Sequence, residues 1–309
     1  MTAESRATAA AADASSRYLV FRAPSRGQGI GTMMNGLAAA LVLAARHDRQ
    51  LCVRWRDFEI AFAWRLPCPS ASSYFASASA ETHTALLNVD AVIESWSFGG
   101  GSTPIPVAAG LLDSNRSVVV MHGDGGASPS ESSERLELPA DPQPALARLL
   151  PDVASRVVAH LRVGDPHEAG RRGLFAAKPH EAATSLLLSS LPADAYVLTD
   201  SDDTHDALCT RRRGGSSAGA FACPPWGVLP HSAERSVSGG GDREERRTAT
   251  LRTWADWWTI KSAEAHVLHT PSAFSESALR FSSAAPCVLK DRQSTVECGR
   301  RSAMGRVEL

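Results

Sequence analysis

Short unbroken apolar runs alternate along this chain with stretches of helical periodicity, and that alternation predicts an α/β protein. YLVFRAP (18–24) reads as a strand, RGQGIG (26–31) as a glycine loop, TMMNGLAAALVLAARHD (32–48) as a helix with a broad apolar face, and QLCVRW (50–55) as a second strand. A strand, loop, helix and strand in that order build a parallel sheet. Between about 122 and 145, Gly, Ser and Pro interrupt every period, which reads as a domain connection. The rhythm then restarts: SRVVAHLRV (155–163) is a strand, KPHEAATSLLLSSLP (178–192) a helix and DAYVLTD (194–200) a strand. TLRTWADWWTIKSAE (250–264) follows as a helix, AHVLHT (265–270) as a strand and SAFSESALRF (272–281) as a helix. The loops RRRGGSSAG (211–219) and SVSGGGDREERR (236–247) read as flexible and their charges as solvated surface.

Length supports the division. At 309 residues the chain suits two domains of roughly 150 residues each. The expected organisation is a disordered N-terminus over 1–16, an N-terminal domain over 17–145 ending in its linker, a C-terminal domain over 146–290, and a C-terminal tail over 291–309. The formal net charge is −1, which leaves no global field to attract nucleic acid or an anionic membrane, so an anion must be met by local donors. No run approaches the roughly 20 apolar residues of a membrane span, and the chain as written reads as soluble. The six cysteines form no close CxxC pair, which argues against a structural zinc site. Their even number permits disulfides, but Cys52, inside a strand-like run, reads as a buried free thiol. Asn115-Arg116-Ser117 fits a glycosylation sequon.

Candidate chemistry collects at three strand ends, where α/β sheets bind ligands. One ends in His160, Arg162 and Asp165, the next in Thr199, Asp200 and Ser201, the third in Thr270, Ser272 and Ser275. Period-two alternation puts His160 and Arg162 on one side of their strand and Leu161 and Val163 on the other. His160 reads either as a satisfied core histidine or as a ligand-binding group. Arg162 needs a carboxylate or phosphate for its fork of donors; Asp165 is one partner, a ligand another. Asp200 serves either as a helix cap or as a ligand contact. The helix start at Ser272 offers free backbone donors and the positive end of the helix dipole. The carboxylates are too scattered in sequence to specify magnesium, so no metal is expected.

These residues resemble the GDP-fucose-dependent fucosyltransferases, the superfamily of the α-1,6-fucosyltransferases, protein O-fucosyltransferases and xyloglucan fucosyltransferases. HLRVGD is similar to that family's HxR strand end, VLTDSDD to its TD strand end, and TPSAFSESAL to its late serine-rich element. GIGTMMNGLAAALVLAARHDRQLCV is similar to its glycine loop and long helix, and the order of the elements agrees over about residues 18 to 285. The resemblance implies a GT-B-like architecture of two Rossmann-like domains facing across a cleft, the N-terminal one on the acceptor side. It implies transfer of fucose from GDP-fucose to a glycan or protein hydroxyl, inverting and without a metal or other cofactor. His160 and Asp200 would then recognise guanine, Arg162 the β-phosphate, and Ser272, Ala273, Phe274 and Ser275 would contribute phosphate donors. The glycine loop, with Gly29, Gly31 and Thr32, would line the nucleotide-sugar site. Arg162 and Asp165 are the catalytic candidates, Asp165 as a base or as a salt-bridge partner. Three positions depart from the family pattern: Val163, Thr32 and Ala273. The compartment would be the Golgi or ER lumen if an N-terminal anchor is missing from this chain, and the cytoplasm otherwise.

Two rivals are weighed against that reading. In a nicotinamide oxidoreductase the third glycine of GxGxxG would fall on Thr32 or Met34, so the fingerprint fails, leaving Asp57 as a possible ribose contact. In a non-catalytic carbohydrate-binding protein, Trp254, Trp257 and Trp258 would stack on sugars, but their spacing favours burial, most of all for Trp254 and Trp258; a degenerate transferase would instead keep GDP binding without turnover.

Overall fold

The computed structural model describes residues 17–22, 29–68, 91–95, 110–114, 118–123, 135–162, 191–210, 221–228, 242–270, 272–290 and 295–298. The expected N-terminal segment 1–16, the sequon at 115–117, the loop 211–219 and Asp165 lie outside them, as does nearly all of the helix expected over 178–192. The chain divides into two compact units.

The first unit is built on a parallel sheet. Strand β1 (Tyr18–Arg22) lies between β2 (Gln50–Arg54) and β5 (Val118–Gly123), and β4 (Ala91–Ser95) flanks β5, in the order β2-β1-β5-β4. All these pairings are parallel, and Tyr18–Phe21, Leu51–Val53 and Val118–Met121 are buried in succession, on both faces, as parallel strands usually are. Helix α1 (Ile30–Arg46) connects β1 to β2 and buries Met33, Met34, Leu37 and Ala38. It starts two residues before the expected Thr32, which puts Gly31 in its first turn. On one sheet face Tyr18, Val20, Cys52, Val118 and Val120 form a cluster. Helix α2 (Arg56–Ala61) and strand β3 (Phe62–Trp64) follow, β3 pairing with β6 (Ala140–Pro142).

In the second unit the short helix α3 (Pro144–Ala147) precedes a five-stranded sheet. Its strands are β7 (Val158–Leu161), β8 (Tyr196–Thr199), β9 (His266–His269), β10 (Ala285–Lys290) and β11 (Thr295–Cys298), in the order β11-β10-β9-β7-β8. β11 alone runs antiparallel to its neighbour, and it falls within the segment read from sequence as a tail. Helix α4 (Asp202–His205) follows β8 and runs into a π-helical turn, Asp206–Thr210. Helices α5 (Arg243–Ser262) and α6 (Ala273–Leu279) bracket β9.

Three sequence expectations are corrected. The charges of 242–247 belong to α5 and not to a flexible loop: Asp242 accepts from the Glu244 amide as N-cap, and Glu244 and Glu245 occupy the first turn. There their charge meets the positive end of the helix dipole. Of the three tryptophans of α5, Trp254 and Trp257 are the fully buried ones, with ring centroids 5.7 Å apart. Trp257 Nε1 donates to Ser277 Oγ at 2.9 Å, whereas Trp258 is half-buried under the Lys261 ammonium, 3.8 Å from its ring centre. Cys52 is not a free thiol. It is bonded to Cys68, and the other cysteines pair as Cys209–Cys223 and Cys287–Cys298.

Candidate functional site

Strand order in the second unit fixes where a ligand can sit. From β7 the chain moves outward to β8, then crosses back over β7 to β9 on its other side. Strand order alone therefore puts a switch point, where α/β sheets take ligands, at the carboxyl ends of β7 and β9.

The sequence of β7 explains which side chains sit at that end of the sheet. Ala159 and Leu161 pack into the core with Val197, Leu208, Phe221 and Leu268. Alternation then directs His160 to the opposite face, where its register partner on β9 is His269. Both histidines are buried. Burial, then the Arg162 and His269 charges, lowers the His160 pKa to about 3, so the ring is neutral. Burial also lowers that of His269, against a hydrogen bond to the Thr270 carbonyl that raises it. The His160 ring lies 5.3 Å from that of Phe274, and its buried Nδ1 has no hydrogen-bond partner among the described residues. Such an atom is costly unless a ligand or water completes it.

Thr270 locks the two strand ends together. Its Oγ1 accepts from the Arg162 amide at 2.7 Å and lies 3.2 Å from the Arg162 carbonyl, to which it can donate, while its amide donates to the His160 carbonyl at 3.1 Å. The Arg162 backbone is thus held beyond the last ladder pair. Its side chain is anchored as well: Nε stands 3.0 Å from Asp200 Oδ2, both side chains being largely buried. Nε is one of five guanidinium N–H donors. Asp200, which precedes the true α4 cap, Ser201, therefore acts as a counter-charge.

At the start of α6, Ser272 Oγ accepts from the Ser275 amide at 3.2 Å and lies 2.8 Å from Ser275 Oγ, which in turn lies 3.1 Å from His269 Nδ1. This internal network fixes the turn. Gly29–Gly31 group with this second unit. A β-carbon on Gly31 would stand 2.4 Å from the Phe274 amide nitrogen, so close backbone approach accounts for the glycine. Thr32 follows, half-buried, on α1. The structure thus brings His160, Arg162, Asp200, Gly31, Phe274, Ser272 and Ser275 into linked contacts. Ala273 is the first residue of α6.

The sequence reading missed His269, although AHVLHT carries the same signal as AHLR, a histidine at the end of a buried strand. Asp57 sits in the first turn of α2, where a carboxylate is favoured by the helix itself.

No protein-family model matches the sequence, and no curated protein does. Among solved structures, an arginine-to-lysine mutant of Arabidopsis thaliana FUT1 in complex with GDP aligns at a TM-score of 0.53 and 12% identity, over 94% of this chain and 75% of that one. The alpha-1,6-fucosyltransferase NodZ co-crystallised with GDP aligns at 0.49 and 14% identity over 92% and 98%. The fucosyltransferase NodZ from Bradyrhizobium aligns at 0.47 and 14% identity over the same shares. The first likeness shows the shared fold, the α/β, GT-B-like class expected from the sequence. Among the described residues no helix is long and apolar enough to cross a membrane.

Proposed function

We propose that this protein is a glycosyltransferase that moves fucose from GDP-fucose to a hydroxyl of a glycan or protein. One observation carries the reading: at the switch point between β7 and β9, an anchored guanidinium, Arg162, stands beside a buried neutral histidine whose Nδ1 has no partner among the described residues. The fold is shared with FUT1, whose structure is in complex with GDP, and that supports a nucleoside diphosphate as the occupant.

In the reaction, the acceptor oxygen attacks the sugar's anomeric carbon from the face opposite the leaving group. The bond from that carbon to the β-phosphate oxygen breaks, its electron pair staying on GDP, and configuration inverts. Arg162 meets the charge that grows on the phosphate. Because that charge is larger in the transition state than in the bound donor, the interaction accelerates the step as well as binding. Asp200 orients the guanidinium through Nε, leaving other donors of the fork for phosphate oxygens. His160 takes the base of the nucleotide, and the Ser272–Ser275 turn takes phosphate oxygens alongside Arg162. Asp165, three residues after Arg162 in the sequence, is the base we assign to the acceptor proton.

The three disulfides support maturation in an oxidising compartment, which favours the Golgi or ER lumen over the cytoplasm. A radiolabelled transfer assay with GDP-fucose and a panel of glycan and glycopeptide acceptors tests the activity. Arg162→Ala is expected to lower turnover about 10²- to 10³-fold while leaving the thermal unfolding transition in place; turnover equal to the wild type would refute the assignment.

A further inference from the structure

A second cluster of chemically capable side chains lies in the same unit, one helical turn beyond Asp200. His205 ends α4 and Cys209 sits in the π-helical turn that continues it. Four residues apart, they share a face of the helical segment. Cys223 comes from the segment tied to β8 by the Tyr196–Ala222 bridge, with the Val197 amide donating to the Ala222 carbonyl at 2.8 Å. Donor atoms of His205, Cys209 and Cys223 all lie within 4.8 Å of one another. In the oxidised chain the two sulfurs are bonded to each other. His205 Nε2 is buried and has no hydrogen-bond partner among the described residues, while Nδ1 stands 3.8 Å from Asp206 Oδ1.

We propose that Cys209, Cys223 and His205 form a thiol-gated zinc site, closed while the cysteines are joined and open to Zn²⁺ when they are reduced. A dithiol reductant passes two electrons and two protons to the disulfide and becomes a disulfide itself. Zn²⁺ then displaces both thiol protons and binds two thiolates and the neutral imidazole. Two thiolates cancel the charge of the ion, so the half-buried site stays neutral. Zinc bonds of about 2.0–2.3 Å to nitrogen and sulfur set tetrahedral donors about 3.5–3.8 Å apart, a spacing within the present cluster once the sulfurs separate. Two thiolates and an imidazole suit zinc among divalent ions, and three protein ligands leave a fourth position for water. Nε2 gains in the metal the partner that it lacks among the described residues.

The test uses the full chain, reduced with a phosphine and freed of metal, with Co²⁺ as the spectroscopic probe and Zn²⁺ as its competitor. The expected result is one Co²⁺ per chain with tetrahedral thiolate-to-metal bands, displaced by Zn²⁺. Those bands vanish in Cys209→Ser/Cys223→Ser, while the thiols of the other two pairs remain. His205→Gln keeps the disulfide, and hence the oxidised fold, but should weaken Co²⁺ binding at least about 10-fold, since loss of even a ligand's supporting partner costs that much. The proposal is overturned if the bands persist in the double variant, if His205→Gln binds as the wild type does, or if thiol counting finds Cys209–Cys223 intact in the reduced, folded chain.

Discussion

A single added methyl at Gly31 tests how closely the Gly29–Gly31 segment approaches the start of α6, both within the second unit. A β-carbon there would stand 2.4 Å from the Phe274 nitrogen and 2.5 Å from both the Ala273 carbonyl carbon and Phe274 Cα. Carbon atoms settle about 3.5–4.0 Å apart, so the two segments must part by about 1 Å. The obstacle is backbone on both sides, and no rotamer change relieves it. Overpacking of this kind costs about 1–3 kcal/mol. The opposing effect is intrinsic: alanine is better than glycine in a helix interior by up to about 1 kcal/mol. Without the close approach Gly31→Ala would therefore stabilise the protein, and the sign of the change is the discriminating quantity. We expect a net loss of about 1–2 kcal/mol, which at about 2–4 °C per kcal/mol for a domain of this size lowers Tm by about 2–8 °C. Differential scanning calorimetry measures it. GDP affinity should fall in parallel, because Phe274 carries the ring that packs on His160. A Tm equal to or above that of the wild type would refute the packing argument.

Other substitutions probe the site and its support. His160, neutral because its folded pKa is lowered from 6.5 to about 3, contributes stability that is complete above pH 6.5. As pH falls below that, the unfolded chain takes up a proton the native state refuses, and stability declines by about 1.4 kcal/mol per pH unit. The loss reaches about 2 kcal/mol near pH 5; urea midpoints against pH should show this component in the wild type and not in His160→Phe, and equal slopes would contradict it. Asp200→Asn removes the counter-charge of Arg162 and should lower transfer by up to about 10²-fold through misplacement of the guanidinium, less than Arg162→Ala; unchanged kcat would deny it an orienting role. Trp257→Ala should cost about 3–5 kcal/mol, and Trp258→Ala about 1 kcal/mol or less, as read from denaturant midpoints; the reverse order would contradict the observed burial.

Where the physics was local, the sequence was readable. The βα rhythm, the strand ends at His160 and Arg162, and the hydroxyl-bearing start of α6 follow from alternation and capping chemistry alone. Partners across the sheet were not readable. That Arg162 meets Asp200 depends on β8 lying beside β7, and strand order is a property of the whole fold. Cys52 was misread for the same reason, since pairing with Cys68 is decided by proximity in space. The α5 start was available in principle: Asp242 before Glu244 and Glu245 is a helix-start signal, masked by the glycines that precede it. The tryptophan error is one of helical phase, where one residue amounts to about 100°.

Calorimetric titration of GDP into the wild type and Arg162→Ala tests the central claim most directly. Binding by the wild type, weakened in the variant by about 10- to 100-fold as expected for loss of charge-assisted hydrogen bonds, is the predicted result. Absence of GDP binding to the folded wild type, or equal affinity in the two proteins, would contradict the placement of a nucleoside diphosphate at the ends of β7 and β9.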